Sequence, residues 1–203
     1  MYIPRHFRST DQKEITAFMQ RFNFGTLITA EDNIPTATHL PFLIEEEGDR
    51  VVLSSHFARA NPQAATLEGK EILVIFSEPH AYISPAFYEK EQNVPTWNYV
   101  AVHAYGKARI ISDEIGMLAL LEKSILAFDA DYMQQWQRLS EDYKSRMLKG
   151  IVAFQIEVTN LEGKKKLSQN KTQTEQQRII DAFSRSENQN EIQIAEYMKL
   201  NNI

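Results

Sequence analysis

Residues 97–105 alternate at the strand period of two, with Trp97, Tyr99, Ala101, His103 and Tyr105 on one face and Asn98, Val100, Val102 and Ala104 on the other. The even face is composed like core. The odd face, aromatic and histidine-bearing, suits a flat ligand or a second subunit. Residues 24–29, 36–44 and 50–57 are rich in β-branched and aromatic side chains and are separated by polar turns containing Asp32-Asn33 and Gly48-Asp49. They predict an antiparallel meander. Strands are predicted again at 72–76, over 96–112, and at 151–159, where Val152, Phe154, Ile156 and Val158 form the apolar face.

Helical spacing punctuates these strands. Ser9 with Gln12 is a capping-box pattern, and Ile15, Phe18, Met19 and Phe22 repeat as one helix face. Asn61-Pro62 predicts the cap and first turn of a short helix over 63–69, closed by Gly69. From Asp113, the apolar stripe Ile115, Leu118, Leu121, Ile125 and Phe128 predicts one helix, and 132–149, stopping at Gly150, a second that packs on it as a hairpin. Two further helices are predicted at 174–185 and 191–200, after a basic segment at 163–171 that reads as an exposed turn. The charged, proline-bounded loop 89–95 reads as a lid or a partner-contacting arm.

Composition narrows the function classes. The chain has 203 residues, 43% of them hydrophobic, enough for a sizeable core. Cysteine is absent, which excludes disulfides, iron–sulfur clusters and thiolate zinc sites. No apolar run reaches membrane-spanning length and MYIPRHFRST lacks a signal-peptide core, so a cytoplasmic location without membrane attachment is expected. The formal charge of −5 argues against a broad basic surface for nucleic acid.

Three constellations carry chemistry. At Ser54-Ser55-His56-Phe57-Ala58-Arg59-Ala60-Asn61-Pro62, hydroxyls, a guanidinium and a helix start converge, which suits a phosphate; the same residues also make a plain helix cap beside a solvated arginine. Gly163-Lys164-Lys165-Lys166-Leu167-Ser168-Gln169-Asn170 offers three cations and then three hydrogen-bonding side chains, either a ligand clamp or an exposed basic turn. The stretch 79–106 repeats the triplet His-Ala-Tyr at 80–82 and 103–105 and holds one of two tryptophans. Four histidines, at 39, 56, 80 and 103, fall on predicted strands, but without HExxH spacing or flanking carboxylates they read as hydrogen-bonding groups, and no metal is expected. Neither a G-x-S-x-G elbow nor a Walker or G-x-G-x-x-G loop occurs. The C-terminal helices read as amphipathic packing elements instead of a helix-turn-helix.

Seven segments taken in order resemble the PaiB family of FMN-binding negative transcriptional regulators: Met1-Tyr2-Ile3-Pro4, Ala37-Thr38-His39-Leu40-Pro41, His56 to Pro62, Pro79 to Pro85, Val94 to Tyr99, Ala101-Val102-His103 and Lys166 to Asn170. Ala86-Phe87-Tyr88 departs from the Ser-Trp-Tyr type of sequence expected there. The resemblance implies a mainly β chain with flanking helices, a Greek-key antiparallel FMN-binding split barrel. It would cover 1–170, with the helical hairpin inserted at about 113–149 and a C-terminal helical extension, 171–203, packed on the barrel. It further implies a homodimer with FMN at or near the subunit interface. By likeness to pyridoxamine-phosphate oxidases, Ser55 and Arg59 would hold the phosphate, with His56 and Asn61 in the same turn. Lys166, Ser168 and Gln169 would be a second set of contacts, and Trp97, Tyr99 and His103 would line the ring or the dimer seam. The expected role is repression of sporulation and degradative-enzyme genes, acting indirectly, since the acidic chain lacks a DNA-reading motif. Hydride exchange as an FMN-dependent oxidoreductase is the alternative, with no catalytic acid or base assigned; haem binding is a third reading.

Overall fold

A computed structural model describes residues 1–201. Eight strands and six helices make up the described chain: β1 (Arg8–Ser9), α1 (Gln12–Arg21), β2 (Phe24–Glu31), β3 (Ile34–Pro41), β4 (Leu43–Glu47), β5 (Arg50–Ala58), β6 (Glu71–Ile83), β7 (Thr96–Ile111), α2 (Glu114–Phe128), α3 (Met133–Arg138), α4 (Glu141–Leu148), β8 (Ile151–Lys166), α5 (Gln173–Phe183) and α6 (Gln189–Asn201). They form two compact units, one of residues 16–76 and 104–161, the other of residues 1–15, 77–103 and 162 onward. No described helix is long and apolar enough to cross a membrane.

The sheet runs β3-β2-β6-β7-β8-β5-β4. Leu27 lies opposite Thr38 and Val74, Leu43 opposite Ser54, and Ser55 opposite Phe154, all in antiparallel pairs. The hairpin between β2 and β3 turns through Asp32 and Asn33, both at positive φ, which short polar side chains tolerate. In the 16–76 and 104–161 unit, the core is aromatic. Phe42, Phe57, Phe76 and Phe154 are fully buried. Phe42 meets Phe76 and Phe154 edge-on at 5.7 and 6.4 Å, and Phe57 stacks on Phe154 at 5.0 Å. Each such ring contributes about 1.5–3 kcal/mol by burial. Gly106 admits the close approach of β8 to β7, because a Cβ there would lie 2.2 Å from the Glu157 carbonyl oxygen.

In the other unit, the even face of β7 is core as predicted, with Asn98, Val100 and Val102 buried. α5 and α6 bury Ile179, Ile180, Phe183, Ile194, Ala195 and Met198, and Phe87 meets Phe183 edge-on at 5.9 Å. β1 pairs with the end of β8, Arg8 opposite Lys164. That pairing turns the predicted basic turn into strand as far as Lys166.

Several boundaries differ from the sequence pattern. α1 begins after Asp11, whose carboxylate accepts from the Lys13 and Glu14 amides at 2.9 and 3.5 Å, while Ser9 lies in β1 and donates to Glu14. The predicted 36–44 strand divides at the fully buried Phe42 into β3 and β4. The turn after Asn61 is a 3-10 turn, Pro62–Thr66, capped by Asn61 as predicted. The single helix predicted at 132–149 breaks at the extended Leu139, and Ser140 caps α4 by accepting from the Tyr143 amide at 3.3 Å. α2 buries Leu120 and leaves Ile115 and Phe128, 82% and 48% exposed, off the packed side. Its apolar residues run almost all round, so spacing alone did not choose the buried face.

Candidate functional site

The phosphate-type residues belong to the unit of residues 16–76 and 104–161. β5 delivers them because its register against β4 and β8 sets where the strand stops and the chain turns. Arg59, one residue beyond the strand, is exposed at its tip and fixed at its root. Its Nε donates to the Lys149 carbonyl and its Nη2 to the Ile151 carbonyl, both at 2.6 Å, and its backbone amide donates to the Gly150 carbonyl at 2.8 Å. The guanidinium is held in place before any anion arrives, and its Nη1 donors are not engaged by these bonds.

Its neighbours have other work. Ser55, only 5% exposed, donates to the Pro41 carbonyl at 2.7 Å and ties β5 to the end of β3. The Ser54 hydroxyl is buried without a hydrogen-bond partner among the described residues. Asn61 accepts from the Gln63 amide and donates to Thr38, each at 3.0 Å; Gln63 accepts from Thr38 at 2.6 Å and donates to Thr29 at 2.9 Å. That chain of bonds makes Asn61 a brace between β3 and the 3-10 turn. His56 is half-buried, and burial lowers its pKa, so its imidazole is neutral near pH 7. Beside Arg59 lies a cavity of about 480 Å³, lined also by Asn61, Pro62, Ala65, Ile110, Met117 and Val152.

The aromatic residues belong to the unit of residues 1–15, 77–103 and 162 onward. Trp97 stands 52% exposed on β7. Tyr82 meets its ring edge-on at 5.8 Å and His80 lies tilted at 6.0 Å, both from β6. His80 and Tyr82 were not among the expected contacts, although the repeated His-Ala-Tyr triplet was the signal that could have included them. Tyr99 is half-buried with the Lys164 ammonium 5.1 Å from its ring centroid, and Lys164 donates to the Tyr2 carbonyl at 3.1 Å. His103 is half-buried. Burial, helped by the Met1 ammonium and opposed by Glu162, lowers its pKa.

At the end of β8, Lys166 donates to the Thr96 hydroxyl, and burial followed by repulsion from Lys164 lowers its pKa. Ser168 and Asn98 exchange hydrogen bonds at 3.0 and 3.1 Å inside the unit, with Ser168 at φ +62°. Gln169 accepts from the Leu167 amide at 2.7 Å and donates to the Lys165 carbonyl at 2.6 Å. Ser168 and Gln169 thus shape the turn after the strand, which leaves Lys166 as the cation of that set. The 89–95 loop is latched onto α5: the Glu89 amide donates to Glu175 at 3.0 Å, Thr172 donates to Glu89 at 3.3 Å and Lys171 donates to Asn93 at 2.8 Å. Glu175 also completes a capping box with Thr172, and the amides it accepts from hold its pKa below the usual carboxylate range.

Each unit taken by itself fits one part of FMN. The fixed guanidinium suits a phosphate dianion, and the exposed Trp97, Tyr82 and His80 rings suit a planar heterocycle. Among the described residues, no group of three His, Asp or Glu side chains is placed to hold a metal ion.

Comparison with known proteins follows the same direction. Residues 1–160 match the family model described as "Putative FMN-binding domain". Over 98% of this chain and 97% of the relative, the sequence is 42% identical to "Protease synthase and sporulation protein PAI 2" of Bacillus subtilis (strain 168). The fold is similar to the flavocytochrome Anf3 from Azotobacter vinelandii, with TM-score 0.63 and 20% identity over 81% of this chain and 72% of that one. It is also similar to the FAD and heme binding protein from Mycobacterium smegmatis, with TM-score 0.57 and 19% identity over 78% and 73% of the two chains. These likenesses show the fold to be a mostly antiparallel split barrel with flanking helices.

Proposed function

The chain belongs to the FMN-binding family that its residues 1–160 match, with FMN as its cofactor, and from that premise we propose that it is a PaiB-type negative regulator of transcription. The observation that carries this reading is the 42% identity, over nearly the whole of both chains, to the sporulation protein of Bacillus subtilis. Sporulation and degradative-enzyme genes are the targets, and the protein acts on them indirectly, in the cytoplasm. The net charge of −5 and the burial of Ile194, Ala195 and Met198 of α6 support an indirect route, since α6 is an element of packing.

Arg59 anchors the FMN phosphate through its Nη1 side, and Trp97, Tyr99 and His103 line the ring or the seam of a homodimer. Lys166 supplies a further cation. When bound, FMN supplies reversible two-electron chemistry, which a regulator uses as a redox signal. Equilibrium titration of the purified chain with FMN, read by quenching of flavin fluorescence, tests the cofactor assignment. Light scattering at micromolar concentration tests the dimer, which a monomer throughout that range would exclude.

The second reading is an FMN-dependent oxidoreductase, supported by the neutral half-buried imidazoles of His56 and His103, which can donate or accept a hydrogen bond near neutral pH. Steady oxidation of reduced nicotinamide or of a pyridoxamine-type amine by the FMN-loaded chain would favour the enzyme. Inactivity, with an FMN-dependent effect on transcription in a reconstituted assay, would favour the regulator.

A further inference from the structure

The cavity beside Arg59 is built wholly from the unit of residues 16–76 and 104–161. Its volume, about 480 Å³, lies in the range of roughly 300–1,000 Å³ typical of small-molecule sites. Arg59 is the one charged residue on the described lining. Away from the guanidinium the walls are apolar: Pro62 and Ala65 from the 3-10 turn, Ile110 from β7, Met117 from α2 and Val152 from β8. One positive charge with no acidic neighbour on the lining selects a ligand with one negative charge, since a second would enter the cavity uncompensated.

The guanidinium also fixes the shape of the charged group. Its Nε hydrogen and one Nη2 hydrogen serve the Lys149 and Ile151 carbonyls at 2.6 Å, so the Nη1 hydrogens and the remaining Nη2 hydrogen form a fork on the far edge. Two parallel donors match the two oxygens of a carboxylate. The arginine is already held, so an acid meets a cation that requires no rearrangement. Each methylene that the acid lays on the apolar walls adds affinity, up to about fourfold when fully buried. Neither part suffices by itself: a bare anion leaves the apolar walls wet, and a neutral chain leaves the fork without an acceptor.

We propose that this cavity is an effector site for a small monocarboxylic acid with an aliphatic body, which displaces FMN by taking Arg59. The site stands on the cavity lining; the displacement rests on the reading of Arg59 as phosphate anchor. The concentration of such an acid then sets how much of the protein carries flavin.

The test is isothermal titration calorimetry of the full apo chain, at neutral pH and constant ionic strength, with acetate, butanoate, hexanoate and hexanamide. Affinity should climb from acetate to hexanoate by at least about tenfold. Hexanamide, the same chain without the charge, should bind at least about tenfold more weakly than hexanoate. Arg59→Ala should erase the preference for hexanoate over hexanamide. Ala65→Trp, at an exposed position, narrows the cavity without entering the core and should erase the gain from acetate to hexanoate. Circular dichroism identifies the folded variants. On wild type, saturating hexanoate should raise the apparent Kd for FMN at least about tenfold, where acetate at the same concentration leaves it within about twofold. Hexanoate no tighter than acetate or hexanamide on wild type overturns the site and leaves the phosphate anchor standing. Hexanoate that binds through Arg59 but leaves FMN affinity unchanged overturns the displacement, and the anchor falls with it if Arg59→Ala also spares FMN.

Discussion

Arg59 joins two roles in one side chain, and its substitutions separate them. Removing the guanidinium takes away a charge-assisted contact to phosphate and also the two bonds that fasten the end of β5 to residues 149 and 151. Arg59→Ala should raise the Kd for FMN by about ten- to a hundredfold, the usual worth of a hydrogen bond to a charged group. Arg59→Lys keeps the charge but not the fork, so it should recover part of that affinity; fluorescence titration checks both. Asn98 provides a contrasting case, in which the polar group serves the fold. It is fully buried and exchanges two hydrogen bonds with Ser168. Asn98→Ala leaves the Ser168 hydroxyl buried without that partner and should lower unfolding stability by about 1–3 kcal/mol in urea.

At the scale of elements, the long strands β7 and β8 set the geometry, and Gly106 leaves room for β8 against β7. A methyl group at Gly106 would meet the Glu157 carbonyl at 2.2 Å and the Ile156 side chain at 2.8 Å, contacts that backbone cannot relieve cheaply. Gly106→Ala should therefore destabilise the chain by about 3 kcal/mol, read from the urea midpoint. The odd face of β7 was legible from its period: Trp97, Tyr99 and His103 are all less buried than the even residues between them. Helices were less legible. α2 is apolar round most of its circumference, and the break before α4 was signalled only by Ser140 followed by Glu141 and Asp142, an N-cap with an acidic first turn inside a longer helical pattern. β1 could not be read from two residues, because its pairing partner, β8, lies more than a hundred residues away.

For the whole molecule, half-buried histidines couple stability to pH. Burial holds His56 and His103 below the ordinary value of 6.5. As pH falls through 6.5, the unfolded chain takes up protons on these residues before the folded chain does, which favours unfolding. Their contribution is complete above that pH and is lost on acidification, whereas the depressed Glu175 adds its loss only below the ordinary 4.5. The urea midpoint should drop between pH 7.5 and about 5.5, and His56→Gln should flatten the slope.

The sequence by itself determined the strand alternation, the Asn61 cap, the start of a helix at Asp113, the acidic balance and, through ordered motifs, a family and its cofactor. Those properties are local, or are carried by residue identity at fixed spacing. Tertiary structure decided which polar side chains remain available to a ligand. Ser55, Asn61, Ser168 and Gln169 look like binding groups in the sequence, yet partners distant in the chain or a tightly folded turn engage them in internal hydrogen bonds. Arg59 keeps an outward side, and His80 and Tyr82 join Trp97 because two strands lie side by side. A buried polar group must find its partner wherever the fold supplies one, and that pairing is written in no single stretch of chain.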